Sequence, residues 1–136
     1  MHIKLFRITL IWVAITFMTG CEQAVEHFIL TTLEARQNTS DELFRKDQIT
    51  IVTCGTGSPL PIGTAVQSCT AVFVNGQFLL FDAGDGAIRS MEDSMLPLED
   101  ISAMFLTHFH ADHWADMAEV IDRSWLLGRR HVFPIY

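Results

Sequence analysis

The sequence predicts an α/β domain over residues 48–136, and three observations carry that prediction. Short β-branched apolar runs, bounded by turn residues, occupy 49–54, 68–74 and 77–82, which is the composition of strands. Asn75-Gly76 separates the second run from the third, and a type I′ hairpin turn needs positive φ at both of its central residues. Helix-like segments at 87–95 and 117–127 then alternate with a further strand at 101–106, the pattern of strands joined through helices.

Each element has its own stop signals. The first strand ends in Gly55-Thr56-Gly57-Ser58-Pro59, and the loop runs on through Pro61 and Gly63. Leu79-Leu80-Phe81 is a continuous apolar run, which predicts a strand buried on both faces. Asp82-Ala83-Gly84-Asp85-Gly86 follows as a tight loop, and the helix after it must stop before Pro97. The strand at 101–106 leads directly into the polar run from Thr107 to Asp116, and Gly128 closes the next helix. Residues 131–135 begin another strand. Cys54 and Cys69 fall at the loop-side ends of neighbouring strands and read as two buried small residues, although an exported location permits a disulfide. Phe109 and Trp114 read as packing, and Arg129-Arg130 as a solvated helix end.

With 136 residues there is room for one domain, and 49% hydrophobic against 18% charged residues is the balance of a packed chain. Nine Lys and Arg against sixteen Asp and Glu give a formal charge of −7. The first twenty residues stand apart. Lys4 and Arg7 precede an apolar run at 8–18 that is too short to span a bilayer but suits a secretory signal. Met18-Thr19-Gly20-Cys21 resembles the lipobox of bacterial lipoproteins, which implies cleavage before Cys21, its lipidation, and an exported, lipid-anchored protein held to the membrane by that anchor. Losing Lys4 and Arg7 takes the charge from −7 to −9, and so acidic a chain is expected to have no nucleic-acid partner. Residues 21–47 read as a tether and lead-in helix, broken at Asn38-Thr39-Ser40-Asp41, where Ser40 or Asp41 caps a short turn through Phe44.

The chemistry is concentrated in His108-Phe109-His110-Ala111-Asp112-His113. Neutral imidazoles and a carboxylate are the donors that zinc and similar cations select. His108 and His110 are two apart and point to the same side of an extended strand end, while Asp112 and His113 follow after the chain turns. Four such groups in one strand-to-helix loop are costly if all stay unpaired, and a bound cation removes that cost.

His108-x-His110-x-Asp112-His113 resembles the signature of the metallo-β-lactamase superfamily. Together with Gly55-Thr56-Gly57-Ser58-Pro59 and Leu80-Phe81-Asp82-Ala83-Gly84 upstream, it is similar to the ribonuclease Z and arylsulfatase-like branch. The resemblance implies an αββα sandwich, of which this chain supplies the first half and is incomplete. It implies that His108 and His110 bind one metal and Asp112 and His113 a second, with zinc the default at two ions per complete domain and iron or manganese acceptable. A water between the metals would be the nucleophile, with Asp112 as the catalytic residue that steers its proton. Asp82 matches a family aspartate that supports the metal site from behind a ligand. The implied function is metal-dependent hydrolysis of a phosphodiester, sulfate ester or related ester, on a small ester substrate. The later histidine, the bridging aspartate and the final histidine of the family are absent, so the chain alone is expected to be inactive. The alternative reading is a non-catalytic, truncated metal-binding or interaction fragment. The oligomeric state is left open.

Overall fold

A computed structural model describes the backbone of residues 2–60 and 65–136, with side chains described from Gln23 onward. Two compact units are present, Met1–Gln37 and Asn38–Tyr136. The first belongs to a helix, α1, that runs His2–Leu43. Its apolar residues Val25, Phe28, Ile29, Leu30 and Leu33 are exposed. Among the described residues no helix is long and apolar enough to cross a membrane. The signal segment and Cys21 lie outside the residues whose side chains are described.

The predicted break at Asn38-Thr39-Ser40-Asp41 is not made: α1 continues through it to Leu43. Packing outweighs the helix-breaking tendency of short polar side chains. Leu43 is buried in the core of the second unit, and the Phe44 ring meets Phe73 edge-on at 5.4 Å. The core of this unit therefore takes in residues N-terminal to Gln48.

The second unit is built on a four-stranded sheet in the order β1 (Ile49–Gly55), β2 (Cys69–Val74), β3 (Gln77–Phe81) and β4 (Ile101–Phe105). The first three strands are antiparallel neighbours, and β4 joins β3 in parallel. Asn75 and Gly76 make the β2–β3 turn with φ of 50° and 74°, the two left-handed conformations that a type I′ hairpin requires. The parallel crossover passes through α2 (Ala87–Asp93) and a 3-10 turn at Leu98–Asp100. After β4 come a single helical turn, α3 (Ala111–Trp114), and α4 (Met117–Leu126), which ends at Gly128 with φ 117°.

Alternation decides which face of the sheet is the core. Cys69, Ala71 and Phe73 of β2, Phe78 and Leu80 of β3, and Ile101 and Met104 of β4 are buried. They pack with Ile88 and Met91 of α2, Leu98 of the 3-10 turn and Val120 of α4. On the other face Leu79 and Phe81 are only half-buried, so β3 is not covered on both sides as its apolar run predicts. That face carries Phe81 stacked on Phe105 at 5.0 Å and Phe105 stacked on Tyr136 at 5.2 Å, while Ile49 and Ile51 of β1 are exposed. The predicted strand at 131–135 is reduced to one parallel bridge, Met104 to Ile135. His131 is structural: its Nε2 lies 2.9 Å from the Ile101 carbonyl. Arg129 is no solvated helix end, since it reaches Ser124 Oγ and the His131 carbonyl and covers the Phe133 ring at 4.9 Å.

Cys54 and Cys69 are joined in a disulfide, in place of two separate buried thiols. The register explains why. Cys69 pairs with Gly55, so the two cysteines meet across the β1–β2 ladder with a Cα separation of 5.0 Å. The bond closes the 55–68 loop at its base. A loop of about 15 residues is stabilised by about 3 kcal/mol on the chain-entropy account. We predict that a dithiol reductant, or Cys54→Ala with Cys69→Ala, lowers unfolding stability by about that amount. Urea unfolding with and without reductant measures it, and identical midpoints contradict the bond.

Candidate metal centre

The site is assembled where the C-terminal ends of the parallel pair β3 and β4 lie side by side, the usual place for ligands in sheets of this kind. β3 delivers Asp82 and β4 delivers Thr107 and the histidine loop. Backbone bonds lock the two loops together. The Asp82 N–H donates to the Phe105 carbonyl at 2.9 Å, Ala83 N–H to the His113 carbonyl at 2.7 Å, and Asp116 N–H to the Ala83 carbonyl at 2.9 Å. Gly84 has to be glycine at this crossing, because a Cβ there would run into the backbone carbonyl of Asp112. From the other side Gly84 N–H donates to the Ser68 carbonyl, and Gln67 bonds the Asp85 backbone twice, so Gln67 and Ser68 back the Asp82 loop.

Asp82 is the centre of the arrangement. It is buried, and its φ of 61° turns the chain in a conformation that aspartate tolerates better than most residues. One carboxylate oxygen accepts from the Thr107 backbone N–H at 2.9 Å. The other accepts from His113 Nδ1 at 2.7 Å and lies 3.3 Å from Ser68 Oγ. The Thr107 hydroxyl is within reach of both oxygens, at 3.1 and 2.9 Å. Burial pushes this carboxyl up, but the Thr107 N–H, His113 and the Thr107 hydroxyl together outweigh it and hold Asp82 below the usual carboxylate range. Asp82 is thus ionised at neutral pH and acts as a pure acceptor.

The four motif residues meet as two pairs. His108 and His110, on the extended segment after β4, face each other with Nε2 and Nδ1 3.1 Å apart. His113 Nε2 and Asp112 Oδ2 are 3.4 Å apart on α3. The His108 ring lies 4.5 Å from His110 and 4.0 Å from His113, centre to centre, so the pairs adjoin. Among the described residues no three His, Cys, Asp or Glu side chains are arranged as a ready cation cage.

The donors nonetheless fit a cation, on three observations. The His113 Nδ1 proton is committed to Asp82, so Nε2 presents a lone pair toward a carboxylate oxygen. Asp112 is buried, and its Oδ1 has no hydrogen-bond partner. A buried carboxylate with one oxygen, Oδ1, unpartnered and the other, Oδ2, set against an imidazole nitrogen is unfavourable unless a further proton or a cation intervenes. Third, two donors on one tetrahedral zinc are about 3.3 Å apart, close to the spacing seen in both pairs. His108 and His110 would hold one ion and Asp112 and His113 the other. Phe109 and Trp114, expected from the sequence to be packing, are instead exposed: Phe109 by 86% and Trp114 by 40%.

A family model for the Anti-Pycsar protein Apyc1 matches residues 49–130, well over half of the chain and all of the site just described. The chain belongs to the Anti-Pycsar protein Apyc1 family. It is 35% identical over 86 residues to Ribonuclease Z of Methanosarcina mazei, a match covering 63% of this chain and 28% of that protein. To Ribonuclease Z of Pyrococcus furiosus it is 34% identical over 88 residues, covering 65% and 29%. Among solved structures, a metallo-β-lactamase fold protein from Bacillus subtilis superposes with TM-score 0.56 at 25% identity, covering 65% of this chain and 37% of that one. The short form of human tRNase Z superposes with TM-score 0.53 at 28% identity, covering 58% and 30%. This Apyc1-family chain therefore has the metallo-β-lactamase fold and stands beside the ribonuclease Z branch. It spans under a third of the length of the curated relatives it matches.

These relatives overturn the expectation of a small ester substrate and no nucleic acid: they are named as nucleases acting on RNA. The error lay in taking the formal charge of the chain as the charge of a binding surface. Phosphate is met by local groups, and −7 summed over this chain says nothing of the larger part of the relatives' length.

Thr107 and Ser68 were not predicted as site residues. Thr107 sits directly before the motif, which is the one signal for it; Ser68 has none, because its role depends on the pairing of β2. We predict that Asp82→Asn, which keeps shape but replaces the carboxylate, weakens zinc binding by about 10–100-fold. Zinc titration calorimetry checks it, and unchanged affinity shows that His113 needs no anchor.

Proposed function

We propose that the protein containing this chain is a zinc-dependent phosphodiesterase acting on RNA or related nucleotide phosphodiesters. The observation that carries the reading is the His113 imidazole, held by Asp82 on one nitrogen and presented to a buried, half-satisfied Asp112 on the other. Bound divalent cations supply an activated water and a positive field for the phosphate.

The chain's own residues set the conditions for that chemistry. His108 and His110 offer nitrogens from one wall and Asp112 and His113 an oxygen and a nitrogen from the other. Asp82 fixes the tautomer of His113, so that no proton competes for the donor nitrogen. The Asp112 carboxylate, buried with Oδ1 unpartnered, would take up a proton from the water. Phe109 projects from between two donors, and an exposed aromatic there suits stacking by a nucleobase. The relatives named Ribonuclease Z support the choice of a phosphodiester over a sulfate ester.

Zinc content by elemental analysis and cleavage of a short RNA test the reading together. The zinc-loaded protein should cut the RNA and lose activity to a chelator. His110→Ala and Asp112→Ala should each reduce cleavage to background while the fold is kept. Zinc-loaded protein that leaves both RNA and a small nucleotide phosphodiester intact contradicts the proposal.

We also infer export with lipidation at Cys21. The disulfide supports it, since such bonds persist mainly in oxidising compartments. Cys21→Ser should move the protein from the membrane fraction to the soluble exported fraction, and unchanged fractionation removes the inference.

A further inference from the structure

We propose that Thr107 is a positioning residue: its single hydroxyl links Asp82 to His108 and so decides which nitrogen His108 presents to a cation. The inference rests on the metal-binding reading above and deepens it. Thr107 Oγ1 lies 3.1 and 2.9 Å from the two oxygens of Asp82, 3.1 Å from His108 Nδ1 and 3.3 Å from His113 Nδ1. A hydroxyl has one proton to give and two lone pairs to offer. Its neighbours decide how these are used.

Asp82 already accepts on both oxygens, from the Thr107 N–H and from His113 Nδ1, and a carboxylate is a stronger acceptor than a neutral imidazole. The hydroxyl proton therefore goes to Asp82. His113 spends its Nδ1 proton on Asp82 at 2.7 Å, a shorter contact than its 3.3 Å approach to Thr107. The remaining partner is His108, whose Nδ1–H donates into Thr107 Oγ1. With the proton on Nδ1, Nε2 of His108 is bare, and this is the nitrogen 3.1 Å from His110 Nδ1.

One carboxylate then commits an imidazole in each pair, His113 directly and His108 through Thr107. The two halves of the site, which lie on different backbone elements, are oriented by one chain of hydrogen bonds. Thr107 is itself fixed in this chain by its own N–H to Asp82 at 2.9 Å, so the hydroxyl cannot drift from the carboxylate. Serine keeps the hydroxyl, while valine keeps the branched shape and removes it.

Two readouts test the proposal on the 136-residue chain. Ring nitrogen NMR of the metal-free protein above the imidazole range should show His108 as the Nδ1–H tautomer in wild type and Thr107→Ser, and lose that fixed tautomer in Thr107→Val. Titration with Zn2+ alone should show affinity about 10–100-fold weaker for Thr107→Val, with Thr107→Ser near wild type. A wild-type His108 carrying its proton on Nε2 overturns the proposal whatever the variants do. So does a Thr107→Val protein with unchanged tautomer and zinc affinity. Wild-type chain that takes up no Zn2+ sinks the metal reading instead, and the tautomer still decides the role of Thr107.

Discussion

A single buried carboxylate organises this molecule's chemistry. Asp82 sits in a left-handed turn at the end of β3, accepts from Thr107 at the end of β4, and reaches across to His113 on the turn of helix beyond. Each of those contacts joins a different backbone segment, so the position of Asp82 depends on the sheet, the histidine loop and α3 together. The cost of burying a charge is offset because its acceptor capacity is filled by N–H and O–H donors. The same bonds spend protons that would otherwise compete for the donor nitrogens. Structure and chemistry are one problem here: what satisfies Asp82 also prepares the histidines.

The fold serves that constraint. Parallel pairing of β3 with β4 brings Asp82 and Thr107 level, through Phe81 opposite Phe105. An antiparallel neighbour would have put one of the two loops at the opposite end of the strands. Glycine at position 84 lets the two loops touch backbone to backbone. The Cys54–Cys69 bond closes the 55–68 loop at its base, behind Ser68 and Gln67, which buttress the Asp82 loop. His108 and His110, at the front of the arrangement, are exposed.

Much of this was legible in the residues. Asn75-Gly76 announced the hairpin, Gly128 the end of α4, and the run of three histidines and an aspartate marked the loop whose side chains meet beside Asp82. These signals are local, with cause and effect a few residues apart. What stayed hidden was set by pairing between distant segments. Ser68 touches Asp82 because β2 lies beside β3 in one register, and the disulfide forms because Gly55 pairs with Cys69. The helix through Ser40 was missed because Phe44 packs on Phe73, a contact no local propensity contains. The nucleic-acid error had the same root, a global sum standing in for a local surface.

We propose that His108 and His110 offer Nε2 and Nδ1 to one cation while His113, anchored by Asp82, offers Nε2 beside Asp112 to another. A crystal structure of the zinc-soaked chain, with anomalous data at the zinc edge, tests this most directly. Anomalous peaks are expected about 2.0–2.1 Å from the facing nitrogens of His108 and His110 and from Nε2 of His113, with Asp82 still bonded to Nδ1 of His113. Zinc bound elsewhere, or bound to His113 through Nδ1 with Asp82 displaced, would contradict it.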